Sequence, residues 1–296
     1  MLRDLVILAK PGIIGGNLLA AAAGYFLGAQ GNIELSVLLS VLIGSSAVIA
    51  SGCMFNNYFD RDIDQKMRRT RHRIGALQRT GYGTTLILAS VEVILGLLVL
   101  WFGASLLAAG FGLLGFTVYV ILYTLCYKRQ SVHGTLIGSL SGACPPIIGY
   151  CAACGRFDMG ALILLATFCF WQVPHSYAIA IYRYDDYRAA NIPVLPLKDG
   201  IQQARKHIIA YIIAFAIAAL MLALCGYTGI FYTLSMGSLS LYWLYLAKVG
   251  YQPSGAQRWA KKVFLFSLVT ITAFSFLISI DNFVPKWPNT IIQAER

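Results

Sequence analysis

The sequence predicts an all-α, polytopic membrane protein of nine spans, and three observations carry that prediction. Hydrophobic residues make up 58% of the 296 and charged residues only 12%, with mean hydropathy +0.69, a composition foreign to soluble globules. The apolar residues fall in nearly uncharged runs of about twenty, the length that crosses a bilayer as a helix. The basic residues crowd into alternate loops between those runs.

In chain order the runs lie at roughly 12–29, 35–57, 83–103, 105–126, 133–152, 159–181, 207–226, 229–247 and 263–281. Gly103-Ala104-Ser105 divides the third from the fourth, and Gly226 to Gly229 the seventh from the eighth; both read as tight helical turns. Nine spans with short loops use nearly all of the chain, so a single intramembrane domain over 1–296 is expected. Met1 to Lys10 is too short and too poor in Arg and Ser for a transit peptide, and the first run reads as a retained span.

One side collects Arg3, Lys10, the block Arg61 to Arg79, Lys128, Arg129, Arg183 to Lys206 and Lys248 to Lys262. The other holds Arg156, Lys286 and Arg296. Positive-inside bias then puts the N-terminus and the basic loops in the cytoplasm and the C-terminus outside; the expected location is a bacterial plasma (inner) membrane, with the C-terminus periplasmic. The net charge of +11 is mostly this topology and is not read as nucleic-acid binding.

The second run ends on Asn56-Asn57-Tyr58-Phe59-Asp60-Arg61-Asp62-Ile63-Asp64. Charge at the membrane boundary is costly unless it is solvated or used. If the helix continues, Asn56, Asp60 and Asp64 fall at i, i+4 and i+8, Asn57 joins their flank, and Asp62 points elsewhere. Oxygen ligands suit hard cations, and Mg²⁺ takes one or two carboxylates together with substrate phosphates. The stretch supports two readings: a Mg²⁺–diphosphate clasp, or a solvated helix end with Asp and Arg paired in water.

The following loop carries Lys66, Arg68, Arg69, Arg71, Arg73 and Arg79, and the fourth run closes on Lys128 and Arg129. Topology alone explains such residues, yet a diphosphate would also welcome them. The sixth run holds Trp171-Gln172-Val173-Pro174-His175, and Pro174 is expected to kink or break it, with Gln172 and the break favouring a cavity. His175 reads either as a hydrogen-bonded core residue or as a ligand group. Arg183 and the pair Asp185-Asp186 follow on the cytoplasmic side, so two acidic clusters backed by Arg and Lys could hold one diphosphate between metal ions. Cys151 and Cys154 form a CxxC without thioredoxin-like or c-type haem context and read as small-residue packing.

Asn56-Asn57-x-x-Asp60-x-x-x-Asp64 resembles the first Asp-rich motif of the UbiA superfamily of intramembrane prenyltransferases, whose members have nine transmembrane helices. A fuller set of motifs is similar to the branch of that family acting on haem: Lys10-Pro11-Gly12, Ala50 to Asp64, Tyr127-Lys128-Arg129, Gly134 to Ala143, Pro174-His175 and Asp186 to Pro196. Three features depart from the family pattern. Asn57 stands where many members carry Asp. Arg71-His72-Arg73-Ile74-Gly75 lacks the usual prolines. The second cluster is Tyr182-Arg183-Tyr184-Asp185-Asp186 rather than Asp-x-x-x-Asp.

The resemblance implies a helical bundle around an active-site cavity opening near the cytoplasmic face. It implies addition of a farnesyl group, from farnesyl diphosphate, to a vinyl group of haem B with water, giving haem O and diphosphate. On this reading Asp60, Asp64, Asp186 and His175 are catalytic, with Asn56, Asp60, Asp64 and Asp186 holding Mg²⁺. Asn56, Asn57, Arg61, Arg71, Arg73, Lys128, Arg129, Arg183 and Asp185 bind substrate, and His175 ligates or orients haem, with His72 and His133 as competitors. Partners would be the bilayer and a downstream terminal oxidase or haem A synthase. Two rivals stay open: a prenyltransferase of the same fold acting on an aromatic acid or quinone precursor, and a non-catalytic haem carrier or transporter. The carboxylates gather at one face, which favours the enzyme.

Overall fold

The computed structural model describes residues 1–281, so Lys286 and Arg296, and the placement of the C-terminus, lie outside the described residues. Among the described residues there is no strand, and nine helices are long and apolar enough to span a membrane. They are α1 Pro11–Ala29, α2 Leu35–Phe59, α3 Tyr82–Gly103, α4 Leu106–Tyr127, α5 Gly134–Cys154, α6 Met159–Tyr182, α7 Ile201–Leu224, α8 Ile230–Lys248 and α9 Ala256–Ile280. All nine expected runs form helices. The start of α7 precedes its run by six residues and the start of α9 by seven, because Gln202 to Lys206 and Gln257 to Lys262 are polar yet helical.

Local chemistry sets the ends. Lys10 adopts a left-handed conformation (φ 57°), ending the short helix Leu2–Ala9, and Pro11 opens α1 at the position where its missing N–H is not needed. Ser105 Oγ accepts from Ala108 N at 3.0 Å and caps α4. Asp158 accepts from the amides of Gly160 and Ala161 and caps α6. The last ten residues of α4, Val118–Tyr127, widen into a π-helix, a deformation frequent at functional sites.

Packing places a cavity in one half of the bundle. In the half away from the basic loops α1 and α5 touch backbone to backbone: a Cβ on Gly24 would lie 1.9 Å from the Pro146 carbonyl oxygen, and one on Gly149 1.9 Å from that of Ala21. Only glycine permits that approach. Toward the end that carries the basic loops, Ile13 and Asn17 of α1 and Gly134, Thr135, Gly138, Ser141 and Gly142 of α5 line a cavity instead. Of the kink or break expected at Pro174, the break does not occur, since α6 runs through it from Met159 to Tyr182. Proline removes one donor there, and packing against α5, α7 and α9 holds the helix continuous.

The end of the bundle with the basic loops carries short helices. Arg61–Lys66 and His72–Thr80 follow α2, while Tyr184–Ala189 and Leu195–Lys198 follow α6. The segment without the family's prolines is therefore helical, and it buries Ala76 and Leu77 against Leu8, Met54 and Ala89.

Candidate active site

A cavity of about 290 Å³ lies between α1, α2, α4, α5 and α6. Its walls are chiefly apolar and aromatic, including Ile13, Val48, Phe116 and Ile148, with Tyr119 and Tyr123 stacked at 6.0 Å on the widened end of α4. Lys128 and Tyr187 stand at the end of it nearest the basic loops. Such a chamber excludes water and offers π-faces to a cation.

The acidic stretch meets this chamber through Lys128, which lines the cavity and also donates to Asp60 Oδ2. Helix α2 ends at Asp60 and a new helix starts at Arg61, so the stretch is not one uninterrupted helix. Its phase survives because Asp60 N bonds the Asn56 carbonyl at 2.9 Å and Asp64 N the Asp60 carbonyl at 2.7 Å. The side chains of Asp60 and Asp64 are consequently buried, at 1% and 7% exposure, while that of Asp62 is 58% exposed. Asn56 Nδ2 donates to Asp60 Oδ2 at 2.6 Å and to Thr124 Oγ1 at 3.1 Å. Its Oδ1 accepts from Lys10 Nζ at 2.5 Å. Arg73 lies 3.9 Å from Asp64 Oδ2. Burial, with Arg73 and Lys128 nearby, pushes the Lys10 ammonium down to about 8, against the opposing pull of Asp64.

The second acidic cluster comes to the first through backbone rather than through its charges. Asp186 Oδ1 accepts from Arg68 N at 3.1 Å, and Ile63 and Met67 pack on Ala190 and Ile192 with Tyr187 and Val194 alongside. That docking roofs the cavity, since Tyr187, Ile192 and Val194 line it.

Of the residues expected from sequence, Asn56, Asp60, Asp64, Arg73 and Lys128 converge, with Asp186 at the loop junction. Arg129 flanks them, pairing with Asp62 at 2.7 Å and lying 3.6 Å from Asp60 Oδ1. Several others do not converge. Asn57 is turned to the Leu8 carbonyl, to which its Nδ2 donates at 2.7 Å. Arg61 stacks on Tyr58 at 4.7 Å and donates to the Tyr58 carbonyl. Arg183 covers the Tyr182 ring at 4.5 Å, Asp185 pairs with Arg188 in the open, and Arg71 is exposed. His175 lies away from the cluster as well. The cavity stripe of α6 is Gln172, Ser176, Ile179 and Ala180; His175 lies off it, stacked on Trp171 at 4.5 Å with Nδ1 2.7 Å from Ser267 Oγ of α9. His72 and His133 are exposed. Sequence reading missed Lys10 and Thr124 as members of the charged cluster; the left-handed turn that aims Lys10 inward has no signature beyond the following proline.

The cluster fits a divalent cation that shares its ligands with an anion. Asp60 Oδ1 and Asp64 Oδ2 are buried and accept no hydrogen bond, with Arg129 3.6 Å and Arg73 3.9 Å away, so each keeps a lone pair open to a metal ion. Among the described residues no three His, Cys, Asp or Glu converge on one point. The remaining ligands would therefore come from water and substrate phosphate, as Mg²⁺ commonly arranges. Lys10, Arg73 and Lys128 face the two carboxylates, so the pocket's ionised groups favour an anion even before a metal binds.

The model of the UbiA prenyltransferase family matches residues 17–269. The chain is 54% identical, over 95% of both proteins, to a protein from Chromohalobacter salexigens named protoheme IX farnesyltransferase. It is 51% identical, over 99% of both, to one of the same name from Escherichia coli O139:H28. Among solved structures it resembles a digeranylgeranylglyceryl phosphate synthase, with TM-score 0.78 and 17% identity, covering 94% of this chain and 98% of that one. A UbiA homolog from Archaeoglobus fulgidus bound to GPP and Mg²⁺ gives TM-score 0.68 at 13% identity, over 93% and 99%; likeness at such identity speaks for the fold alone.

Proposed function

This chain belongs to the UbiA prenyltransferase family, and on that premise we propose that it transfers a farnesyl group from farnesyl diphosphate to a vinyl group of haem B. Water completes the addition, giving haem O and diphosphate. The observation that carries the substrate reading is identity above 50% across nearly the full length of proteins named for that reaction. The site supports the chemistry, because a buried acidic pair among Lys and Arg stands at the mouth of an apolar, aromatic chamber.

Lys10, Lys128 and Arg73 bind the diphosphate and neutralise the charge that grows on it as the C–O bond breaks. Asn56 orients Asp60 and Lys10 by bonding both. Asp60 and Asp64, with Asn56 beside them and with water and diphosphate oxygens completing the shell, would hold Mg²⁺, which would supply Lewis-acid stabilisation of the leaving group, while Asp186 stands at the loop junction. Tyr119, Tyr123 and Phe116 shelter the farnesyl cation from bulk water until the vinyl carbon attacks. The clustering of these groups at the end rich in basic loops supports a cytoplasmic site in a bacterial plasma membrane, from which haem O would pass to a terminal oxidase or haem A synthase.

The test is incubation of the purified protein with haem B, farnesyl diphosphate and Mg²⁺, with products read by mass. A farnesylated, hydroxylated haem is expected. Prenylation of an aromatic acid with none of haem would replace this reading, and haem binding without any transfer would favour a carrier.

A further inference from the structure

The polar groups lining the cavity are unevenly committed. Asn17 Nδ2 donates to the Ile13 carbonyl and Ser141 Oγ to the Gly138 carbonyl, both at 2.8 Å, so each is held by its own helix. Ser45 Oγ is buried without a partner, and Gln172 is uncommitted as well. It projects from α6 into the chamber, roughly 15 Å from the helix's cytoplasmic end at 1.5 Å per residue. Its amide makes no hydrogen bond to a protein group among the described residues.

That amide lies against Gly142 of α5 so closely that a Cβ there would sit 1.8 Å from Gln172 Nε2. Four residues on is Pro146, which has no N–H, so the Gly142 carbonyl lacks its ordinary helical donor; Pro145 does the same for the Ser141 carbonyl. A side-chain amide thus packs on the residue that carries a bared backbone carbonyl, at the wall of the chamber. A buried water requires about two to four polar partners, and this amide and carbonyl can supply two of them.

We propose that Gln172, with the Gly142 carbonyl, holds the water that captures the carbocation formed on the haem vinyl group, which makes Gln172 a catalytic residue. This rests on the haem-farnesylating function proposed above. The C–O bond of farnesyl diphosphate breaks, and a C–C bond forms to the terminal vinyl carbon, leaving the positive charge on the carbon next to the porphyrin. The water oxygen bonds to that carbon, and its proton leaves with the diphosphate. Without a held water, the cation instead loses a proton from the adjacent carbon, giving an alkene adduct lighter than haem O by one water. Gln172 therefore sets the partition between alcohol and alkene.

The experiment compares the unsubstituted protein with Gln172→Leu and Gly142→Ala, each given haem B, farnesyl diphosphate and Mg²⁺ in ¹⁸O-water, with both adducts quantified by mass. The unsubstituted protein is expected to give the ¹⁸O-labelled alcohol. In each variant the alkene-to-alcohol ratio is expected to rise at least about tenfold, a change of about 1.4 kcal/mol in relative barrier. Gly142→Ala reaches the same water by displacing the Gln172 amide, so it decides the matter if Gln172→Leu fails to fold. An unchanged ratio in the folded variants would overturn the inference, as would complete loss of both adducts in a folded Gln172→Leu, which would assign the residue to bond formation instead. No haem adduct from the unsubstituted protein would overturn the substrate reading itself, and this inference with it.

Discussion

Asp60 and Asp62 are two residues apart and carry the same group, but the structure separates their environments, and paired substitutions exploit that. The Asp60 side chain is 1% exposed and holds Lys128 and Asn56, whereas that of Asp62 is 58% exposed and pairs with Arg129. Asp60→Asn leaves Lys128 buried beside a neutral amide, and breaking a buried pair in this way costs about 3–5 kcal/mol. Part of that falls on folding. The part felt during reaction is comparable to losing one preorganised electrostatic group, about 10²–10³ in rate. Asp62→Asn removes an exposed pair worth about 0–1 kcal/mol, hence a change of no more than about fivefold. Haem adduct formation, measured in membranes with equal protein levels, is expected to collapse for Asp60→Asn and persist for Asp62→Asn. Comparable losses in the two variants would refute the assignment of the inner face, and with it the helical phase carried through Asp60.

Three further expectations follow from the same geometry. Lys10 sits at about 8, so raising the pH through that value removes a cation from the diphosphate pocket. The KM for farnesyl diphosphate should rise there, and Lys10→Met should flatten that limb. The sign for stability is opposite: between about 8 and the ordinary lysine value the unfolded chain binds more protons, so this group favours the fold as pH rises. His175→Ala, which breaks the Trp171 stack and the Ser267 contact, should cost about 1–3 kcal/mol in a thermal melt yet leave haem adduct formation in place. A reporter domain inserted in the 61–80 loop should behave as cytoplasmic, and periplasmic behaviour would invert the bundle.

The spans were legible because lipid demands continuous apolar runs, and all nine of them formed helices. Helix ends were less so: the first turns of α7 and α9 are basic and polar, and hydropathy does not register a helix once it leaves the apolar layer. Helical spacing identified Asn56, Asp60 and Asp64 because their backbone hydrogen bonds continue across the break at Asp60. The same spacing misplaced Asn57, which the Leu8 carbonyl captures from a helix nearly fifty residues earlier in the chain. Pro174 misdirected the reading of α6, where tertiary packing overrides a lost donor, and so drew His175 toward a cavity it does not line. The contribution of Lys10 depends on a left-handed backbone turn, and Gln172 gains its setting from a glycine and two prolines on another helix. Contacts of that kind are products of the assembled bundle.

The most direct measurement is a structure of the protein with Mg²⁺ and a non-hydrolysable farnesyl diphosphate analogue. The diphosphate is expected within hydrogen-bonding distance of Lys10 and Lys128, with a divalent ion touching Asp60 and Asp64 and the prenyl chain running between Tyr123 and Phe116 toward Gln172. A diphosphate bound elsewhere, with Asp60 still closed on Lys128 and no ion at Asp64, would contradict the central claim.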